Sequence, residues 1–216
     1  MAAKVDFKYE DGSKIFFTSD SHFFHDNIIK FCNRPFNNVE EMNQIMVDNW
    51  NNKVPHDGLV FHLGDFAWGG YNKFKEVREK LNGEIILIKG NHDEKNGPNS
   101  REAELSIFKG VLRQAKLLIE NRQIYVNHVP FLCYGGTYRD KNAIVYQLFG
   151  HVHISNHLKR NNGKDFERCV NNLFPTQYDV GVDFNEFAPI SWHEVNVKIQ
   201  AQIEKNDNLK MWINND

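Results

Sequence analysis

Five short β-rich segments of this chain each stop at an aspartate, asparagine or histidine, and this repeated pattern constrains the fold more than any other feature. The segments cover residues 14–19, 58–63, 84–89, 123–127 and 144–149, and the polar residues that follow them are Asp20, Asp65, Asn91, His128 and His151. Short apolar runs of this kind are typical of buried strands. Because helical repeats alternate with these runs, the pattern predicts an α/β fold.

The segments between the predicted strands carry the periodicity of amphipathic helices. Apolar residues recur from Val39 to Trp50 after the cap candidate Asn38, and a second repeat runs from 71 to 81 before Gly83. Residues 178–183 are expected to form another strand. Ser191 and Glu194 have the spacing of a capping box, which predicts a final helix. The polar segment 154–177, with a turn signal at 161–163, is expected to be a hairpin or a mobile excursion.

Length and charge exclude several classes of protein. A chain of 216 residues without a linker or repeat predicts one domain spanning 1–216. Its 26 basic and 28 acidic residues nearly cancel, so the sequence shows no basic surface of the kind that holds long nucleic acid. The N-terminus is charged where a signal peptide would be apolar, and no run approaches the roughly 18 apolar residues of a membrane span. The sequence therefore predicts a soluble, cytoplasmic protein with no membrane partner.

The cysteines point to the same compartment. Cys32, Cys133 and Cys169 are odd in number and widely spaced, which suits neither a disulfide framework nor a zinc knuckle, so we interpret them as reduced thiols.

The residues at the strand ends are metal ligands by type. Ligands of open α/β sheets bind at the carboxyl ends of the strands. Asp20 and His22 are two residues apart, so their side chains point the same way from an extended segment, and His151 and His153 repeat this spacing. Gly64 permits the sharp turn that would bring Asp65 into the cleft.

The number of donors exceeds what one ion needs. The donor set is Asp20, His22, Asp65, Asn91, His128, His151 and His153. A mixed nitrogen and oxygen set without sulfur favours Mn, Fe, Zn, Co or Ni over Ca, with Mn our first expectation. Two divalent ions about 3.5–4 Å apart, bridged by one carboxylate, would account for the number of ligands, clamp a phosphoryl oxygen and activate a bridging water as the nucleophile.

At this point the motifs resemble a known family, the calcineurin-like metallophosphoesterases. The resemblance rests on Asp20-Ser-His22, Gly64-Asp65, Gly90-Asn-His-Asp93, His128 and Gly150-His-Val-His153, in the family's order. It implies a four-layer αββα sandwich, two mixed β-sheets flanked by helices. It also implies that Asp20, His22, Asp65 and His153 hold one metal, that Asp65, Asn91, His128 and His151 hold the other, and that His92 is the general acid.

The chain departs from two branches of that family. Protein Ser/Thr phosphatases have an Asp and an Arg shortly after Gly-Asp, whereas Trp68 stands at the position of that Asp; purple acid phosphatases place a Tyr ligand there. We therefore expect hydrolysis of phosphodiesters of small or nucleotide-type substrates, because a poor leaving group gains most from an acid such as His92. A nuclease acting on DNA or RNA, a phosphomonoesterase and, less well supported, a non-catalytic metal-binding scaffold are the alternatives.

Other polar residues have open roles. His25 follows the first motif and is as well explained by the pocket as by the surface, and Trp68 suits either stacking on a substrate ring or packing in the wall. Arg34, held in an extended corner by Pro35, is expected either to contact the substrate phosphate or to pair with a surface carboxylate such as Glu40 or Glu41. His62 is expected to be a core residue, His56, His157 and His193 to be surface residues, and the residue that orients His92 is not identified.

Overall fold

The computed structural model describes residues 6–132, 144–153 and 173–205. Cys133, His157, Cys169 and most of the expected excursion at 154–177 lie outside the described residues.

The described strands form two mixed five-stranded sheets. The strands are β1 (Phe7–Tyr9), β2 (Ile15–Thr18), β3 (Leu59–His62), β4 (Glu84–Ile88), β5 (Gly110–Leu112), β6 (Gln114–Ile119), β7 (Arg122–Asn127), β8 (Tyr146–Phe149), β9 (Gln177–Asp179) and β10 (Ile190–Ser191). The order in the first sheet is β10-β2-β3-β4-β5, and in the second β1-β6-β7-β8-β9. Strands β2 to β5 run parallel, as do β7 to β9. Each sheet therefore presents one edge where several carboxyl ends meet.

The described residues form six helices beside the sheets. They are α1 (Asp26–Phe31), α2 (Val39–Lys53), α3 (Gly70–Arg78), α4 (Asn91–Asn96), α5 (Arg101–Ile107) and α6 (Trp192–Glu204). The two caps predicted from the sequence are confirmed, because Asn38 accepts the backbone N–H of Glu41 and Ser191 forms a capping box with Glu194. Helix α1 begins at Asp26, and His25 stands at its N-cap position without a side-chain cap.

Two apolar clusters hold the layers together. In the first cluster, Phe16, Val60 and Ile85 from one face of the first sheet pack with Trp50 of α2 and Phe74 of α3. The opposite face of that sheet packs against the second sheet, and α6 adds four apolar residues to this inner cluster. Strands buried on both faces explain why β2, β3 and β4 are continuous apolar runs rather than alternating ones. The expected sandwich of two mixed sheets with flanking helices is confirmed.

Candidate metal centre

The loops that leave β2, β3, β4, β7 and β8 meet at one edge of the sandwich. Main-chain hydrogen bonds join them: the N–H of Asp20 donates to Gly64 O, that of His22 to Asp65 O, and that of Gly150 to His128 O, each at 2.9 Å. A bridge between Ser19 and Gly181 joins the ends of the two sheets at the same place. The parallel strands thus deliver the polar residues at their ends to one cleft.

The first group of donors consists of Asp20, His22 and His153. One candidate ligand atom from each residue lies within 4.8 Å of those of the other two. His153 Nε2 is 3.9 Å from Asp20 Oδ1. Asp20 Oδ1 and His22 Nε2 are buried and have no hydrogen-bond partner among the described residues. Buried polar atoms are nearly always paired, so two unpaired ones facing one space fit a cation site.

The second group consists of Asp65, His128 and His151, again within 4.8 Å of one another. His128 Nδ1 lies 2.7 Å from the carbonyl oxygen of Leu63, which accepts its proton and leaves Nε2 free to bind. That Nε2 is 3.2 Å from His151 Nδ1 and 3.1 Å from Asn91 Oδ1. The amide oxygen of Asn91 therefore joins the second group.

Asp65 lies between the two groups. Its Oδ2 is 3.5 Å from His22 Nε2 and 3.4 Å from His128 Nε2. Its other oxygen, Oδ1, accepts the backbone N–H of His92 at 2.8 Å. One carboxylate oxygen thus lies within 3.5 Å of a ring nitrogen from each donor group.

Several of these donors have an unusual backbone conformation. Five of them have positive φ angles: Asp20 at 57°, His22 at 50°, Asp65 at 57°, His151 at 71° and His153 at 48°. Residues other than glycine seldom adopt positive φ angles, and those that do are concentrated at functional sites. Their concentration in one cleft indicates that the loops are shaped to aim side chains.

Two glycines allow the loops to approach closely. Gly64 has φ of +97°, and a Cβ on it would lie 2.5 Å from Gly90 N and 2.7 Å from His128 Nδ1. A Cβ on Gly150 would overlap Ser19 Oγ and the carboxylate of Asp20. The glycines before Asp65 and His151 are therefore required by the packing of the donor loops.

The electrostatics of the histidines favour metal binding at His22. Burial, reinforced by nearby His153, holds the pKa of His22 well below its usual range, so the ring is neutral. Burial also lowers the pKa of His128, but the carboxylates of Asp65 and Asp20 outweigh it and raise that pKa to about 9. A divalent cation beside the two carboxylates would replace the proton on His128.

His92, His25 and Trp68 form an aromatic wall beside the first group. The His92 ring centroid lies 5.1 Å from that of His22 and 5.5 Å from that of Trp68. The ring of His25 stacks on Trp68 with centroids 4.4 Å apart, and its Nδ1 is 3.2 Å from His22 Nδ1. Since Trp68 is 37% exposed, this wall borders both the donors and the solvent.

The structure places Arg34 differently from either expectation. Its side chain has no exposed surface, and its five N–H groups all have acceptors. Nε and Nη2 donate to the two oxygens of Asp183 at 2.8 and 2.9 Å, and Nη2 also donates to Asp20 O at 2.7 Å. Nη1 donates to Ser21 O at 3.0 Å and reaches Met42 Sδ at 3.4 Å.

The expected roles of Arg34 therefore need correction. No donor remains to bind a substrate phosphate, and the buried guanidinium pairs with Asp183 rather than with Glu40 or Glu41. The Arg34-Pro35 corner exists, but it turns the side chain inward beneath the Asp20 loop.

Asp183 is a residue of the site to which the sequence analysis assigns no role. Asp183 Oδ2 accepts from His153 Nδ1 at 2.8 Å. Arg34 and His153 lower the pKa of Asp183 to about 2 despite its burial. A signal for Asp183 existed, because it ends the 178–183 segment and so repeats the pattern of an acid after a strand.

Asp93 does not orient His92. Its carboxylate accepts the backbone N–H groups of Asp65, Phe66 and Gly90 at 2.7, 2.9 and 2.8 Å. Nδ1 of His92 is buried without a hydrogen-bond partner in the described part of the chain. Asp93 therefore joins the loop after β3 to the loop after β4.

The other described histidines lie where the sequence predicts, His62 in the core and His56 and His193 at the surface. His62 is fully buried, and its Nε2 lies 2.8 Å from Ser21 Oγ, which places it behind the Asp20 loop. His56 and His193 are exposed.

Comparison with known proteins agrees with this geometry. The model of the calcineurin-like phosphoesterases matches residues 13–168, which is most of the chain. The chain belongs to this family. The activity that names this family is phosphoester hydrolysis, and the chain carries groups of residues that could hold metal ions.

Two relatives extend the comparison. A stretch of 101 residues is 50% identical to the uncharacterized protein MJ1445 of Methanocaldococcus jannaschii, and it covers 46% of this chain and 57% of that relative. The solved structure of the protein of unknown function AQ665 from Aquifex aeolicus superposes with a TM-score of 0.60 at 23% identity, covering 85% of this chain and 97% of that one. The second likeness shows the fold alone.

Within the described residues, no helix combines the length and the apolar character needed to cross a membrane.

Proposed function

We propose that this chain is a phosphodiesterase for small or nucleotide-type substrates with a dinuclear metal centre. In this proposal Asp20, His22, Asp65 and His153 hold one ion, and Asp65, Asn91, His128 and His151 hold the other. The observation that carries the proposal is the shared oxygen of Asp65, 3.5 and 3.4 Å from the binding nitrogens of the two groups. Mn is the first candidate metal, and Fe, Zn, Ni or Co would fit the same donors.

The residues around the groups supply the remaining chemistry. When bound, the two ions stabilise the charge on the phosphoryl oxygens and lower the pKa of the attacking water. His92 is the general acid, because its ring lies beside His22 while its backbone N–H is fixed by Asp65. Its side chain is therefore held next to the donors without belonging to them, where it can protonate the leaving oxygen.

The aromatic wall supports a substrate with a planar group. His25 and Trp68 stack on each other next to His92, so a leaving group that His92 protonates would lie against them. Aromatic faces bind nucleobases by stacking, worth about 1–3 kcal/mol per base. The near-neutral charge of the chain offers no comparable support for long DNA or RNA.

Metal stoichiometry tests the centre. Protein purified without chelator and loaded with Mn is expected to hold two ions per chain, and a value that stays at or below one would refute the dinuclear proposal. Asp65→Asn is expected to weaken the binding of both ions, whereas Asp20→Asn should weaken mainly one.

A substrate panel tests the reaction. Cyclic nucleotides, small diesters, monoesters and oligonucleotides are assayed with Mn, Ni, Zn and Mg. His92→Ala is expected to lower turnover of substrates with poor leaving groups by on the order of 10²–10⁴, and of nitrophenyl esters by much less. Equal losses for both would assign His92 a positioning role, and faster hydrolysis of oligonucleotides or monoesters would favour those alternatives.

A further inference from the structure

A buried ion pair, Arg34 with Asp183, contacts the backbone of the Asp20 loop and the ring of His153 in the first donor group. The side chains of Arg34 and Asp183 are 0% and 2% exposed. Their bidentate geometry, with distances of 2.8 and 2.9 Å, is the arrangement that a guanidinium forms best with a carboxylate.

The remaining donors of Arg34 bind the loop between two proposed ligands. They donate to the carbonyl oxygens of Asp20 and Ser21. Asp20 and His22, which flank Ser21, have positive φ angles of 57° and 50°. Such conformations persist only where surrounding contacts enforce them. Together with the main-chain bonds to Gly64 and Asp65, Arg34 therefore holds the backbone from which the side chains of Asp20 and His22 project.

The other end of the pair reaches the third member of the group. Asp183 Oδ2 accepts from His153 Nδ1, which fixes the ring and leaves Nε2 directed at Asp20. A carboxylate behind a ligating histidine fixes its tautomer and raises its basicity. Through these contacts the pair reaches Asp20 and His153 directly and His22 through the neighbouring Ser21. In the second group, by contrast, His128 is held by the carbonyl oxygen of Leu63.

We propose that Arg34 and Asp183 are positioning residues that set the affinity of the first ion, held by Asp20, His22 and His153 with the shared Asp65, much more strongly than that of the second. The proposal rests on the dinuclear centre proposed above. Lysine cannot replace Arg34 here, because one ammonium group has three donors on a single atom and cannot span Asp183 and two carbonyls.

The test measures binding of Co(II) and Mn(II) by competition with a chromophoric chelator, together with the visible absorption spectrum of the Co(II)-loaded protein. Wild type is expected to bind two ions. Arg34→Lys, Arg34→Ala and Asp183→Asn should bind the first ion on the order of 10–100-fold more weakly, which is typical for residues behind metal ligands. The second ion should bind within about threefold of the wild-type affinity, with its part of the spectrum unchanged.

Arg78→Ala is the matched control. Arg78 is a partly buried arginine that likewise donates to two backbone carbonyls, those of Leu81 and Gly83, but it lies at the end of α3, away from the candidate metal ligands. If Arg34→Ala fails to fold, Asp183→Asn, which keeps the side-chain shape, decides the result. Wild-type affinity for both ions in Arg34→Lys and Asp183→Asn would overturn the proposal, as would an equal loss of both ions. A wild type that binds one ion would instead refute the dinuclear centre.

Discussion

Replacing Asp93 by alanine is expected to loosen two donor loops at once. The buried carboxylate accepts three backbone N–H groups, those of Asp65 and Gly90 at Oδ2 and that of Phe66 at Oδ1. Alanine leaves all three without an acceptor. Each buried donor left unpaired costs about 1–3 kcal/mol, so the simple sum is about 3–9 kcal/mol.

Two effects reduce that sum. Water can enter the space left by the carboxylate and accept one or two of the bonds. In addition, burial and the nearby Asp65 charge raise the pKa of Asp93 to about 6, so its ionised form carries a penalty at neutral pH that alanine removes. We therefore expect the low end, a loss of about 3 kcal/mol in the free energy of unfolding, or about 6–12 °C in Tm for a chain of this size.

Asp93→Asn separates the number of acceptors from the charge. An amide oxygen in the place of Oδ2 still accepts from Asp65 and Gly90, and only the N–H of Phe66 faces the amide NH₂. The loss of stability should therefore be about a third of that in Asp93→Ala. Glu94→Ala, which removes the neighbouring exposed acid and its surface pair with Arg113, should change the stability by less than about 1 kcal/mol.

The assay is urea unfolding at pH 8, followed by circular dichroism, with and without Mn. Asp93→Ala should also bind metal more weakly, because Asp65 and Asn91 are no longer held together. The reasoning is refuted if Asp93→Asn is as unstable as Asp93→Ala, or if Asp93→Ala is as stable as Glu94→Ala.

Three further predictions concern the free energy of urea unfolding, measured over a range of pH, and the binding of Mn. Burial lowers the pKa of His62 to about 3, so the folded state resists the proton that the unfolded state accepts below about pH 6.5. As the pH is lowered between those two values, the free energy of unfolding of chelator-treated protein should fall by about 1.4 kcal/mol per pH unit. His62→Gln should remove that part of the slope. Gly150→Ala should displace Asp20 and weaken metal binding, whereas Gly110→Ala, whose Cβ would be 3.8 Å from Ile86, should not. Ser191→Ala should cost about 1 kcal/mol through loss of the α6 cap.

The sequence predicted that the polar residues at the strand ends lie close together, because their positions follow from local chemistry. Each strand end is marked by an apolar run followed by a polar residue. Because parallel strands bring such ends to one edge of a sheet, this prediction does not require the strand order. The structure brings Asp20, Asp65, Asn91, His128 and His151 together in that way. The apolar periodicity does not reveal that the strands belong to two sheets, because a strand buried on both faces has the same continuous apolar sequence in either sheet.

The supports of the donors could not be predicted in the same way. Arg34 and Asp183 are 149 residues apart, so no local spacing connects them, and an Arg-Pro dipeptide specifies the backbone but not the direction of the side chain. Asp93 is adjacent to His92, yet consecutive residues of a helix point in different directions, and its partners are backbone groups that every residue carries.

The positive φ angles of the five donors connect these supports with function. Conformations of this kind cost on the order of 1–3 kcal/mol each, so together they lower the free energy of unfolding by a large amount. Main-chain bonds between the loops, the pair of Arg34 with Asp183 and the carboxylate of Asp93 offset that cost without using a single donor atom. Because the loops are held from behind, the atoms that face the cleft can stay unpaired, as Asp20 Oδ1 and His22 Nε2 are. The supports act on the backbone and on the ring atom of His153 that faces away from Asp20, so they shape the loops without competing with an ion for the ligand atoms.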